Sequence, residues 1–191
     1  RLQPQVILAG PVQLSAFLVA LTGYKPLVTM SWGSDMLVEA DRNRWSRFIT
    51  QYTLRRSSGA LGDCQAVRDK IRVWGPLTDP QIVTFPWGID LQSFRPRPSL
   101  LPLRRELGWI DNPILISTRT WDPPYAIDVL VRAFAEVHQS HPTTRLLLLG
   151  DGVQSLMIHQ LIAELNLSKQ IYTPGRIRYD LLSEYFRLAD I

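Results

Sequence analysis

ILISTRTWDPPYAIDVLVRAFAEVHQSHPTTRLLLLGDG, residues 114–152, places a segment of helical periodicity between two short apolar runs. Residues 114–117 and 146–149 have the length of buried strands, and residues 125–139 are predicted to form the helix between them. The helix is expected to bury one face, formed by Ala126, Leu130, Ala133, Phe134 and Val137. A strand of four leucines is typical of a parallel sheet covered on both faces, so the stretch predicts a βαβ unit.

The same alternation continues on both sides of this unit. Further strands are predicted at residues 6–9, 27–30, 59–62, 81–85 and 170–173, and further helices at 12–21, 44–56, 65–74, 153–165 and 179–188. Three prolines in residues 95–102 interrupt the pattern with linker composition. We therefore expect an α/β protein with two parallel-sheet domains, residues 1–92 and 93–191.

Composition limits the class of protein. Of the 191 residues, 46% are hydrophobic and 20% are charged, which is typical of a folded globular chain. Because Cys64 is the single cysteine, an internal disulfide is excluded and a reducing compartment is favoured. No apolar run approaches the roughly 20 residues that cross a bilayer.

Positive charge concentrates between residues 42 and 72, in a chain whose formal net charge is +4. Eight basic residues lie there against two acidic ones, which suits an anionic membrane, nucleic acid or an acidic substrate. Within this patch, the apolar spacing of Trp45, Phe48, Ile49 and Tyr52 predicts a core-facing stripe with the arginines on the solvated side. The alternative is that the basic side rests on anionic lipid.

Three candidate sites follow predicted strands. Gly150-x-Gly152 allows backbone N–H groups to approach a phosphate at a helix N-terminus, although a plain tight turn explains it too. Arg119 offers a planar cation for a diphosphate, or forms a surface ion pair. Asp35, in SWGSDML at residues 31–37, accepts sugar hydroxyls or caps the next helix. The three histidines lack metal-ligand spacing, so no metal site is expected. Ser155 completes an imperfect dinucleotide fingerprint without the acidic residue that it needs.

Several stretches together resemble the retaining family-4 (group 1) glycosyltransferases of GT-B architecture, in which two Rossmann-like domains face a cleft. The stretches are VTMSWGSDML at 28–37, IVTFPWGIDLQSFRP at 82–96, the strand and helix of 114–137, LLLLGDG at 146–152, YTPGRI at 172–177 and YFRLADI at 185–191. Their order and spacing match the family across nearly the whole chain. The resemblance implies an internal fragment with both domains truncated, inactive by itself.

The resemblance also implies residue roles. Arg119 would bind the donor diphosphate, and catalysis would rest on Arg119 and Asp35. Gly150 and Gly152 would line the phosphate side, while Gly175, Arg176 and Ile177 would frame the nucleobase. Trp32, Gly33 and Asp35 would face the sugar and acceptor, with Gly88 near the cleft. The donor, UDP- or GDP-linked, is a substrate, so neither a cofactor nor a metal is expected.

Two departures accompany this resemblance. Trp32 replaces the usual histidine, and Pro124 replaces the usual phosphate-binding lysine, for which Arg176 is a candidate substitute. The expected function is transfer of a hexose from a nucleotide sugar to a saccharide or lipid-linked acceptor hydroxyl, with retention. Alternatives are another GT-B enzyme (a sugar-nucleotide epimerase or phosphorylase) or a non-catalytic nucleotide-sugar-binding module. We expect a cytoplasmic protein that contacts the inner membrane face peripherally and binds no nucleic acid.

Overall fold

Two parallel β-sheets organise residues 3–191, which are the residues described by a computed structural model. The chain divides into one unit that ends at Gly88 and a second unit, Ile89–Ile191. Parallel sheets with helices between consecutive strands confirm the predicted α/β class.

The first unit carries a four-stranded sheet of order β1-β2-β3-β4, with all neighbours parallel. Its strands are β1 (Ile7–Ala9), β2 (Leu27–Met30), β3 (Gly59–Gly62) and β4 (Ile82–Thr84). Its α-helices are α1 (Phe17–Leu21), α2 (Ser34–Leu37), α3 (Arg44–Arg56) and α4 (Gln65–Trp74). A π-helical segment, Val12–Ala16, precedes α1, and short 3-10 turns span Glu39–Asp41 and Asp79–Gln81.

The second unit carries a three-stranded parallel sheet of order β5-β6-β7. Its strands are β5 (Ile114–Ser117), β6 (Arg145–Leu149) and β7 (Ile171–Gly175). Its helices are α5 (Leu103–Glu106), α6 (Ile127–Ser140), α7 (Ser155–Glu164) and α8 (Tyr179–Leu188), with a 3-10 turn at Pro123–Tyr125.

β6 is buried on both faces, as its leucines predict. Leu146 and Leu148 join the apolar cluster under α6 and α7. Leu147 and Leu149 join the opposite cluster, which includes Leu188 of α8. Side chains alternate across a strand, so a strand covered on both sides needs apolar residues at every position.

The second unit begins at Ile89 because residues 93–100 bind α8. The Glu184 carboxylate accepts a 2.7 Å hydrogen bond from the backbone N–H of Leu100 and pairs with Arg97 at 3.0 Å. Arg187 donates to the carbonyl of Arg95 at 3.2 Å. The Leu100 N–H and the two guanidinium groups hold the pKa of Glu184 below its ordinary value, which keeps this anchor ionised. The segment with linker composition is therefore fastened to the second unit.

Two predicted helix faces are corrected by the structure. In α3 the buried residues are Ile49, Thr50, Thr53 and Leu54, while Trp45 and Phe48 are exposed. In α6 the buried residues are Ile127, Val131 and Phe134, whereas Ala133 and Val137 are exposed. Ala126 adopts a left-handed conformation (φ 49°) after the Pro123–Tyr125 turn, so α6 begins at Ile127. Its buried stripe is the one that packs in the cluster of Leu146 and Leu148.

Candidate functional site

The carboxyl edge of the second sheet brings together three loops, here called the second-sheet edge: Arg119–Asp122 after β5, Gly150–Gly152 after β6, and Gly175 at the end of β7. The N–H of Gly150 donates to the Gly175 carbonyl at 2.9 Å, and the N–H of Trp121 donates to the Asp151 carbonyl at 3.1 Å. Carboxyl ends of parallel strands meet at one edge of a sheet, where open α/β proteins bind ligands.

The two glycines of the β6 loop permit close packing against the β5 loop. A Cβ on Gly150 would lie 2.4 Å from the carbonyl oxygen of Arg119, and Gly150 has a φ of 104°. A Cβ on Gly152 would lie 2.6 Å from the carbonyl oxygen of Trp121. The Gly152 N–H already donates to Ser155 Oγ at 3.0 Å. These contacts fix the loop beside Arg119, while phosphate binding by the two glycines stays a prediction.

Trp121 lies within the β5 loop and anchors it to the sheet. The sequence pattern did not predict this role. The side chain is buried, and its indole N–H donates to the Leu149 carbonyl at 3.1 Å. The Trp121 ring packs edge-on against His159 of α7, with ring centroids 5.1 Å apart. A tryptophan two residues after the candidate arginine was the available signal.

Arg119 is exposed at this edge. Within residues 3–191, its guanidinium forms no ion pair and donates no side-chain hydrogen bond. It lies over the ring of Tyr125, 5.7 Å from the centroid, which orients the cation without neutralising it. A guanidinium held in this way remains free to bind an anion.

Arg176 and Ile177 follow Gly175, and Arg176 is exposed. Its positive charge acts on Asp151, although the Ser155 hydroxyl is the main cause that lowers the pKa of Asp151, followed by the Gly152 N–H. Asp151 therefore stays ionised beside the glycines. A phosphate at this edge would need cations on its other side, which Arg119 and Arg176 can provide.

The SWGSD loop after β2 is organised around the carboxylate of Asp35. Its Oδ2 accepts from the N–H of Val12 at 2.9 Å. Its Oδ1 accepts from the Ser31 hydroxyl at 2.6 Å and from the N–H groups of Trp32 and Met36, each at 3.0 Å. Asp35 is 5% exposed, and all four of its hydrogen-bond partners belong to the first unit. Its catalytic role stays a prediction.

The other residues predicted for the sugar side surround this loop. Trp32 is exposed, and Gly33 has a φ of 94° at the start of α2. A recess of about 340 Å³ is lined by Trp32, Asp35 and residues of α2, α3 and the π-helical segment. Gly88, the last residue of the first unit, has open space around its Cβ position and lines none of this recess.

Asp63 also lies near this loop and was not predicted. It follows β3, and its Oδ2 would be 3.8 Å from a Cβ on Gly33. Its Oδ1 is buried and, in the part of the chain that the structure describes, has no hydrogen-bond partner. An acidic residue directly after a predicted strand was the signal, because the strand end places it at the carboxyl edge.

Comparison with known proteins gives a consistent result. Residues 103–191 match the sequence model of the family Glycosyl transferases group 1. The group 1 glycosyltransferase family is thereby supported. A GDP-mannose-dependent monoacylated alpha-(1-6)-phosphatidylinositol monomannoside mannosyltransferase of Corynebacterium glutamicum is 26% identical over 147 residues, 75% of this chain. A D-inositol 3-phosphate glycosyltransferase of Kineococcus radiotolerans is 30% identical over 135 residues, 65% of this chain.

Solved structures support the GT-B fold. The Anabaena protein HepE, crystallised in complex with UDP, superposes with a TM-score of 0.79 over 97% of this chain, at 20% sequence identity. The chain covers 51% of HepE, and 34% and 31% of the two curated relatives. It therefore spans about a third of the length of those relatives.

Proposed function

We propose that the protein transfers a hexose from a nucleotide-diphosphate sugar to an acceptor hydroxyl, with retention, as a family-4 glycosyltransferase. One observation carries the proposal: Arg119 is exposed and unneutralised at the second-sheet edge, inside the segment that matches the family. The Anabaena structure contains UDP and the Corynebacterium relative uses GDP-mannose, which supports a nucleotide-sugar donor. Two details of the proposal rest on the family resemblance: that the transferred sugar is a hexose, and that its anomeric configuration is retained.

The donor diphosphate binds at the second-sheet edge in this proposal. In the reaction, the bond between the sugar C1 and the diphosphate oxygen breaks, the acceptor oxygen bonds to C1, and the acceptor proton is released. Negative charge grows on the departing diphosphate. Arg119 stabilises that charge with a planar donor fork, and Arg176 supplies a second cation. Because the two arginines stabilise this charge, the proposed reaction needs no cofactor.

The acceptor binds against the first unit, at the recess beside the SWGSD loop. A volume of about 340 Å³ lies within the range of small-molecule sites. Trp32 presents an exposed ring that can stack on a sugar, and Asp35 holds the loop in place. We propose a saccharide or a lipid-linked saccharide as the acceptor. The name of the Corynebacterium relative, a mannosyltransferase for a monoacylated phosphatidylinositol monomannoside, supports this choice. We place the protein on the cytoplasmic side, where nucleotide sugars are substrates.

The test offers UDP- and GDP-hexoses to the full-length protein with saccharide and glycolipid acceptors, and follows products by NMR. Formation of an acceptor glycoside whose anomeric configuration equals that of the donor supports the proposal. An inverted product would contradict retention. Release of an isomerised nucleotide sugar, or of a sugar phosphate, would identify an epimerase or a phosphorylase instead. Donor binding without turnover would identify a binding module.

A further inference from the structure

An apolar surface runs across the first unit where α1 lies against α3. Trp45 and Phe48 are 65% and 52% exposed, although the sequence pattern predicts a buried stripe. Their rings stack at 5.5 Å, and Phe48 continues to Tyr52 at 6.1 Å. Tyr52 meets Phe17 of α1 edge-on at 5.9 Å, which joins the two helices. Three leucines of the segment that contains α1 are also exposed: Leu14, Leu18 and Leu21. We call these residues the α1–α3 surface.

Basic side chains interrupt the aromatic row. At 100° per residue, Arg44, Phe48 and Arg55 point within about 40° of one another on α3. Among residues 3–191, no carboxylate forms an ion pair with Arg44 or Arg55, and both side chains are exposed. Arg47 differs, because it pairs with Asp41 at 3.8 Å and lies over Trp74. Two arginines therefore keep their full charge beside exposed aromatic rings.

This combination fits one kind of occupant better than the others. Tryptophan and phenylalanine insert at the level of lipid headgroups, and unpaired arginines are attracted to anionic lipids. A protein partner would have to leave two buried arginines unpaired or bring carboxylates to both. None of the helices in residues 3–191 is long and apolar enough to cross a membrane.

The surface also adjoins the recess of the first unit. Leu14 belongs to the α1–α3 surface and lines the recess, and Ser46, the residue after Trp45, lines it from α3. We propose that the α1–α3 surface docks on an anionic lipid bilayer and thereby holds the recess open toward the headgroup layer. The docking requires only the first unit and no donor. Its test therefore stands apart from the test of sugar transfer, while the meaning given to the recess rests on the proposed function.

Co-sedimentation with vesicles tests this docking. The 191-residue chain is mixed with vesicles of phosphatidylcholine alone, or with 30% phosphatidylglycerol added (about a third anionic, so that the surface potential is substantial). We expect binding to the anionic vesicles only, weakened by salt. Each arginine near the surface contributes about 1 kcal/mol, so Arg44→Gln with Arg55→Gln should lower the partition coefficient roughly 30-fold. Trp45→Ser with Phe48→Ser should lower it about tenfold or more.

Matched variants in the second unit control for general loss of charge or apolar area. Arg105→Gln with Arg132→Gln removes two exposed arginines, and Val153→Ser with Leu156→Ser removes two exposed apolar side chains. Both should leave vesicle binding unchanged, and circular dichroism should show all variants folded. Brominated lipid should quench tryptophan fluorescence more strongly in the wild type than in Trp45→Phe, and that difference would place the Trp45 ring at the bilayer.

Several outcomes would overturn the docking. Equal binding to neutral and anionic vesicles at low salt would remove the role of the arginines. Unchanged binding of the Trp45 and Phe48 double variant would remove the role of the aromatic row. If light scattering shows a dimer that the same variants dissociate, and vesicles are not bound, the surface is a contact between copies. Binding to RNA without binding to vesicles would make it a nucleic-acid surface.

Discussion

Asp35 and Arg119 both follow strands at the carboxyl edge of a parallel sheet, yet the structure treats them in opposite ways. Asp35 is buried and accepts four hydrogen bonds from its own unit. Arg119 is exposed and touches one aromatic ring. A charge that is fully hydrogen-bonded stabilises its loop, whereas a charge left unpaired at an edge is available to a ligand. The comparison predicts a structural role for the Asp35 carboxylate and ligand binding by the Arg119 guanidinium.

The largest effect should come from Arg119→Ala in the full-length protein. Loss of a preorganised donor to the departing diphosphate should cost about 2–4 kcal/mol of transition-state stabilisation, roughly 30- to 900-fold in kcat/KM. Arg119→Lys should recover only part, because a point charge cannot replace the planar fork. Steady-state kinetics with Arg105→Ala as the control measures both. If Arg119→Ala matches that control while folded, Arg176 becomes the candidate diphosphate cation.

Alanine substitutions at Gly150 and at Gly33 should distinguish the cost of backbone strain from the cost of a steric clash in the free energy of unfolding. Both glycines have positive φ, so each alanine stores about 1–3 kcal/mol of backbone strain. Gly150→Ala also drives its Cβ to 2.4 Å from a backbone oxygen, whereas Gly33→Ala meets only Asp63 at 3.8 Å. We expect the free energy of unfolding to fall by about 1–3 kcal/mol more for Gly150→Ala, measured by urea denaturation. Equal losses of unfolding free energy in the two variants would mean that the β6 loop can move away from the β5 loop without cost.

Removal of the Asp35 carboxylate should mainly destabilise the first unit. Asp35→Ala leaves the buried N–H of Val12 and the buried hydroxyl of Ser31 without their acceptor, which should cost about 2 kcal/mol in the free energy of unfolding. Asp111→Ala, which removes an exposed carboxylate, is the matched control and should change little. Should Asp35→Ala unfold like the wild type yet abolish transfer, the carboxylate would be catalytic and the contrast with Arg119 would fail.

The smallest effect should come from Tyr125, which positions Arg119. An exposed cation–π contact contributes about 0.5–1 kcal/mol, so Tyr125→Leu should weaken UDP or GDP binding roughly two- to fivefold. Tyr125→Phe keeps the ring and should restore wild-type binding, an outcome that a merely structural role of the hydroxyl would not give. Calorimetric titration measures the dissociation constants. Identical affinity in Tyr125→Leu would show that Arg119 orients itself without the ring.

Much of the fold followed from local patterns. The predicted bounds of α3, α4, α8, β2, β3 and β5 agree with the structure, because apolar periodicity and Gly or Pro stops act within a few residues. The four-leucine strand was predicted to be buried on both faces, and it is. The family resemblance likewise depended on strings of sequence, and the match of residues 103–191 supports its coarser part, the group 1 glycosyltransferase family.

The sequence by itself determined the order of strands and helices, the α/β class and the place of Arg119 after β5. Only the tertiary structure decided which side of each helix is buried and which charge is free. Thr50 and Thr53 lie on the buried face of α3, whereas Trp45 is exposed to solvent, because burial depends on neighbours supplied by distant segments. Asp35 is held by Val12, 23 residues away, a contact that no local period encodes. Hydrogen bonds and packing across the sheet therefore settle what a carboxylate, an arginine or an aromatic ring is able to do.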